Sequence, residues 1–120
     1  MKVRKDQGAA RSGFEDWYWQ RLSAIVLALL LPLPFVLIIA VYSGRVDQFG
    51  LLDLLDHPLS RLLHTLLILA LIVHAYMGLK VICEDYVPHI GWRVTLIGAM
   101  LVVMSGFGIW WLAMIWAWGG

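Results

Sequence analysis

The sequence predicts an all-α membrane protein with three transmembrane helices, and three observations carry that prediction. The first is composition: 62% of the 120 residues are hydrophobic and 14% are charged, against about 25% charged in soluble domains. The second is segregation of charge. No Asp, Glu, Lys or Arg falls within 22–44, 62–79 or 94–120, windows of 23, 18 and 27 residues. About 20 apolar residues cross a bilayer core. The third is the lack of alternation. Runs such as Ile25–Leu31 and Leu66–Val73 are continuously apolar, whereas a closed barrel needs a period of two.

Composition also removes several function classes. A net charge of +1, with no basic aromatic cluster, gives no reason to expect a nucleic-acid partner. Cys83 is the only cysteine, so no intramolecular disulfide and no metal-binding cysteine pattern exists; it reads as a buried free thiol. The first apolar window starts after some twenty polar or mixed residues. It exceeds the ~7–15-residue core of a signal peptide, and no small-residue cleavage site follows, so it reads as a retained helix. Three helices enclose little volume, which points to a partner subunit. There is no Walker loop, zinc signature or nucleophile triad.

The elements follow in order. Residues 1–16 form a basic tail with Lys2, Arg4, Lys5 and Arg11; residues 17–120 form the membrane anchor. Trp17, Tyr18 and Trp19 suit headgroup depth, where amphipathic rings are favoured. The first helix is expected over about 19–43. Pro32 and Pro34 bend it, since each lacks an N–H and crowds the preceding turn, and Ser43-Gly44 ends it. Within the loop 44–59, the leucine pairs and aspartates of 50–56 suit a short interfacial helix. Asp56 is a candidate cap for the second helix, with Pro58 in its first turn. That helix is expected over about 59–85. Pro88 stops it and pushes Val87 towards an extended conformation. The third helix is expected over about 92–118, with Trp110, Trp111, Trp116 and Trp118 as a belt at its far end. Ser105-x-x-Gly108 and Gly106 suit close helix packing.

Orientation follows from Lys and Arg. Four lie in the tail, with Arg21 at its border and Lys80 and Arg93 beside the second connection. The opposite side offers only Arg45 and Arg61. The amino terminus is therefore predicted to be cytoplasmic and the carboxyl terminus outside. Arg21, Asp85, Tyr86 and Arg93 then share the cytoplasmic face.

The second helix carries the chemistry. His74 lies inside an apolar run, where an ionisable side chain is costly and usually functional. Asp85 follows eleven residues later, three turns plus about 20°, so on the same face and roughly 16 Å towards the cytoplasm. Ala70 and Gly78 flank His74 one turn away on either side. Such small neighbours leave room for a flat macrocycle or for another helix. A haem reading needs a neutral imidazole with one nitrogen on iron and the other hydrogen-bonded. The plainer reading is a histidine bonded to a neighbouring helix as polar glue. His64 lies about 15 Å away along the axis and about 80° round, so one helix cannot clamp one iron with both. The other two helices contain no histidine, so a second axial ligand must come from another chain. His64 reads as a packing residue or a support; His57 and His89 read as surface residues. Tyr86 can donate to a quinone carbonyl at headgroup depth, Asp85 can orient a partner or relay protons, and Arg21 can reach a haem propionate or snorkel to a lipid phosphate.

These residues resemble a known family. Gly13-x-x-Asp16, Arg21-x-x-Ala24-Ile25, His74-Ala75-Tyr76-x-Gly78 and Asp85-Tyr86 are similar to the smaller, D-type cytochrome b membrane-anchor subunits of succinate dehydrogenase, the bacterial succinate:quinone oxidoreductase. The spacing from His74 to Asp85-Tyr86 is the strongest part of the resemblance, which covers nearly the whole chain.

The resemblance implies a two-subunit haem-binding helical bundle in the bacterial inner membrane. His74 would be one axial ligand of haem b, the companion cytochrome b anchor subunit supplying the other. Tyr86 would hydrogen-bond ubiquinone or menaquinone, Asp85 would support that site, and Arg21 would lie near the haem propionates. FAD and iron–sulfur clusters would belong to a flavoprotein subunit and an iron–sulfur subunit on the cytoplasmic side. The expected activity is respiratory electron transport linked to the tricarboxylic acid cycle, with no catalysis by this chain alone. Some family members carry histidine where Glu15 stands, so a role of that histidine does not transfer. Two other classes fit the bare residues: a small proton-coupled transporter or channel subunit using His74 and Asp85, and a structural assembly subunit of another respiratory complex.

Overall fold

The computed structural model of the chain describes residues 7–117, with side chains over 13–117. Every regular element is helical: α1 (Gln7–Leu30), α2 (Pro32–Tyr42), α3 (Gln48–Asp56), α4 (Pro58–Tyr86) and α5 (Ile90–Ala117). Three stretches are long and apolar enough to cross a membrane: Gly13–Tyr42, Pro58–Tyr86 and Ile90–Ala117. The chain is a multi-pass membrane protein of three spans, as predicted.

α1 and α2 together form the first span. Leu31, between them, keeps helical dihedrals and its N–H still bonds to the Leu27 carbonyl at 2.8 Å. Pro32 then occupies the first position of α2, where its missing N–H does least harm. The two prolines thus make a joint within a continuous rod, as their chemistry requires. The start differs from expectation. α1 begins at Gln7, inside the segment read as a tail, because nothing in Gln7–Gly13 stops helix propagation. From Gln7 to Tyr42 the rod is about 54 Å long, well beyond a ~30 Å hydrocarbon core, so its first turns project from the membrane. Lys2, Arg4 and Lys5, the Arg11 side chain and Trp118 lie outside the described residues.

α2 stops in a two-bond reverse cap. Arg45 N–H donates to the Ala40 carbonyl and Gly44 N–H to that of Val41, each at 3.0 Å. Gly44 sits at φ 71°, the left-handed conformation this cap demands and glycine tolerates. The interfacial helix forms as α3, capped by the Asp47 carboxylate accepting from Gly50 N–H at 2.8 Å. Asp56 does not cap α4. His57 does: its backbone is extended and its Nδ1 accepts from Leu59 N–H at 3.2 Å. Asp56 instead pairs with Arg61, one turn inside α4, which its carboxylate reaches more readily than the first N–H groups. α4 ends at Val87, extended as the following Pro88 dictates. The Arg93 guanidinium then ties the 87–89 connection by donating twice to the Val87 carbonyl, at 3.0 and 2.9 Å.

α4 is the central helix. It packs against α1 on one side and α5 on another, with α3 near its start. Burial separates it from its neighbours: His64, Leu67, Ile68, Ala70 and Cys83 are buried in α4, against Gly108 alone in α5. The core is thin, built around Leu27, Leu67 and Ala70 with Val26 and Leu30 against them. Cys83 is buried, its thiol 3.9 Å from the Met100 sulfur. Gly108 permits the α4–α5 approach, since a Cβ there would stand 2.3 Å from Ile72 Cδ1; Gly106 has open space around it and plays no such part. At the far end Trp116 Nε1 donates to Thr65 Oγ1 at 3.0 Å, joining the two helices again.

Candidate functional site

The seam between α1 and α4 runs antiparallel, and its polar contacts read in register. Lys80 Nζ lies 3.3 Å from Asp16 Oδ2 and 4.0 Å from Glu84 Oε1. Further in, Gln20 approaches Gly78, and then Gln20 and Ser23 meet His74. Deeper still, Ala70 packs on Leu27 and Leu67. The stripe Ala70, His74, Gly78 therefore serves helix packing. Of the two occupants its small residues allowed, another helix of the same chain takes the place.

His74 is half-buried on this seam. Its Nδ1 lies 3.2 Å from Ser23 Oγ and 3.3 Å from the Gln20 carbonyl oxygen. Ser23, itself buried, donates to that same carbonyl at 3.0 Å. The Gln20 carbonyl only accepts, so the tautomer that satisfies all three contacts has Nδ1–H donating to it and to the Ser23 hydroxyl. Nε2 then carries the lone pair. The ring's hydrogen bonds are all at Nδ1, and Nε2 makes none among the described residues. An imidazole held through one nitrogen, with the other uncommitted, is the arrangement that a histidine ligand of haem requires.

The rim residues sit apart from this centre. Asp85 is exposed and Tyr86 is 80% exposed at the end of α4. Neither makes a hydrogen bond or ion pair among the described residues. Register places Asp85 opposite the early turns of α1, ahead of the described side chains. Arg21 is not at their depth, contrary to the sequence expectation. Asp16 is level with Lys80; Asp85 lies five residues outward of that level and Arg21 five inward. The separation along the axis is about 15 Å. Arg21 is level with the His74 region instead, its guanidinium 6.0 Å from the Trp17 ring centre. His57 and His89 are exposed.

Sequence reading missed Gln20, Ser23 and the Asp16–Lys80 pair. The available signal was Ser23, a lone hydroxyl near the start of the first apolar window. Its partner is invisible without the register of α1 on α4.

Two comparisons bear on this arrangement, one with protein families and one with individual proteins. A family model described as succinate dehydrogenase/fumarate reductase transmembrane subunit matches residues 4–109. A succinate dehydrogenase hydrophobic membrane anchor subunit of Coxiella burnetii is 22% identical over 107 residues, covering 89% of this chain and 91% of the relative. The protein of that name in Rickettsia conorii is 30% identical over 95 residues, covering 78% and 73%. That in Rickettsia bellii is 29% identical over 96 residues, covering 80% and 75%. With this match on a three-span helical fold, the chain belongs to the family of succinate dehydrogenase/fumarate reductase transmembrane subunits.

Proposed function

We propose that this membrane subunit anchors a respiratory succinate:quinone oxidoreductase in a bacterial inner membrane, with its amino terminus cytoplasmic, and supplies one axial ligand of haem b and part of a quinone site. The observation that carries the reading is His74: Nδ1 occupied by Ser23 and Gln20, Nε2 uncommitted. The Gln20 carbonyl fixes the tautomer, Ser23 helps to hold the ring plane, and their hydrogen bonds raise the basicity of the ligating nitrogen. The companion anchor subunit provides the second ligand. When bound, haem b supplies a one-electron centre between peripheral iron–sulfur clusters and the membrane. Arg21, level with His74, is the cation suited to a propionate.

In the whole assembly, the flavoprotein and iron–sulfur subunits oxidise succinate to fumarate, releasing two electrons and two protons. Ubiquinone or menaquinone takes up two of each to become the quinol. Tyr86 donates a hydrogen bond to the quinone carbonyl, stabilising charge that develops on that oxygen. Asp85 pairs with a basic group of the companion and hands protons inward from the cytoplasmic rim. The exposure of both side chains suits groups that meet a partner and a diffusing substrate.

The reading is tested in the purified native complex. His74→Ala should abolish or shift the reduced b-type α-band, and an unchanged band would refute the ligand assignment. Tyr86→Phe should lower quinone reduction roughly tenfold or more, the effect of losing a hydrogen bond to a charged oxygen. Succinate oxidation by an artificial dye should persist, so equal loss of both activities would refute the role of Tyr86.

A further inference from the structure

Tyr86 is placed by its backbone alone. It is the last residue of α4, its side chain is exposed, and its hydroxyl makes no hydrogen bond among the described residues. The end of a helix is where order is most easily lost, because the last four carbonyls lack partners within the helix and terminal turns fray. A phenol that must meet a substrate oxygen there needs a brace, and the connection 87–89 supplies one from several local contacts. Val87 N–H continues the α4 ladder to the Cys83 carbonyl at 3.0 Å. Val87 is extended, and Pro88 fixes the next φ. His89 then caps α5: its Nδ1 accepts from Trp92 N–H at 3.4 Å, and its carbonyl accepts from Arg93 N–H at 3.0 Å. Gly91 leaves room for that ring, since a Cβ there would stand 3.0 Å from His89 Cε1. Arg93 closes the corner with Nε and Nη2 both on the Val87 carbonyl, at 3.0 and 2.9 Å.

We propose that Arg93 is a positioning residue for quinone reduction: its fork on the Val87 carbonyl holds the last turn of α4, and with it Tyr86, where the phenol meets the quinone. The inference rests on the role of Tyr86 given under the proposed function. Charge placement supports it. Arg93 stands in the first turn of α5, at the positive end of that helix dipole, where a cation is disfavoured. The same guanidinium reaches back to the negative end of α4, where a cation is favoured. A guanidinium serving only the membrane surface would extend to water or a lipid phosphate; this one is half-buried and turned onto a main-chain carbonyl. Two donors from one rigid plane fix direction as well as distance, which the point charge of a lysine does not. Joining α4 to α5 does not require it, since Cys83 meets Met100, Ile72 meets Gly108 and Thr65 meets Trp116 along the rest of the seam. What the fork adds is a fixed end to α4, next to the phenol.

The test uses the native complex carrying Tyr86→Phe, Arg93→Gln and both together. Arg93→Gln should lower quinone reduction about three- to fivefold, less than loss of the phenol itself, because a displaced group still contributes. Dye-linked succinate oxidation and the b-type α-band should persist. Arg93→Lys, which keeps the charge and one donor, should recover part of the loss; complete recovery would trace the effect to charge and overturn the fork. In the Tyr86→Phe background, Arg93→Gln should cost less than about 1.5-fold further, since a residue acting through the phenol has nothing left to position. Additive losses would overturn the proposal while leaving the role of Tyr86 intact. If Tyr86→Phe alone leaves quinone reduction unchanged, that role falls and the role of Arg93 falls with it. Hydrogen exchange in the same complexes reads the brace without quinone. Arg93→Gln should speed exchange of the Tyr86 and Val87 amides roughly tenfold while sparing 66–73; unchanged protection at Val87 would also overturn the proposal. Should Arg93→Gln fail to assemble, Arg93→Lys carries the same cycle with a smaller expected loss.

Discussion

The two histidines within the apolar run of α4, one buried and one half-buried, use the same ring differently. His74 sends Nδ1 across to a second helix, at 3.2 and 3.3 Å. His64 folds Nδ1 back onto its own preceding turn at 2.7 Å and lies in the wall of an apolar cavity. Around His74 the neighbours are polar or small: Gln20, Ser23 and Gly78. His64 meets Ser60 of its own helix and shares a cavity wall with leucine and aromatic residues. Spacing on the helix is the same in kind for both. What differs between the two rings is where Nδ1 bonds: across to α1 for His74, and back onto the preceding turn of α4 for His64. A helix can thus hold the same ring in two ways, across to a neighbour or back on itself.

The contrast breaks most directly by substitution at both positions. His74→Ala should remove the b-type absorbance, whereas His64→Phe should leave it intact in an assembled complex; loss of the band in both variants would collapse the distinction. Ser23→Ala is the next largest effect. Losing a hydrogen bond that orients a metal ligand typically costs ten- to a hundredfold in affinity, and the Gln20 carbonyl should hold the result near the lower end. Haem retention during dilution or competitive extraction measures it, and unchanged retention would separate Ser23 from the site.

Two smaller predictions sharpen the packing half of the comparison. Gly108→Ala forces Ile72 into another rotamer, at a cost of about 1 kcal/mol, while Gly106→Ala should be neutral or slightly stabilising. Ile72→Val, which removes Cδ1, should restore Gly108→Ala in thermal unfolding of the complex; failure of that rescue would show that the contact is not the cause. The Asp16–Lys80 pair is partly exposed at both ends. Asp16→Asn should therefore cost at most about 1 kcal/mol, less at high salt. A much larger loss would mean that the pair is desolvated against a partner subunit.

Much of the architecture was legible in the residues alone. Bilayer thickness sets span length, so charge-free windows locate three helices without reference to packing. Proline and glycine act through their own backbones, which is why the joint at Pro32, the cap at Gly44 and the stop at Val87-Pro88 appear where local chemistry puts them. His74 stood out because an imidazole among leucines is expensive wherever the chain folds. The boundary at Gln7 was less legible, since polar helical residues resemble a polar tail when no breaker separates them. The cap of α4 went to His57 and not Asp56 because two adjacent polar side chains compete, and Arg61 claims one of them.

The amino-acid sequence by itself determined the spans, the bends and which side chains are too polar for their depth. Tertiary structure decided what those side chains face. The offset of α1 against α4 brings Ser23 to His74, moves Arg21 away from Asp85 and pairs Asp16 with Lys80; the close approach of α5 at Gly108 shapes the chamber over His64. Apolar periodicity cannot set such offsets, because lipid and a neighbouring helix are almost equally apolar. Only interdigitating side chains and a few buried hydrogen bonds distinguish one register from the next.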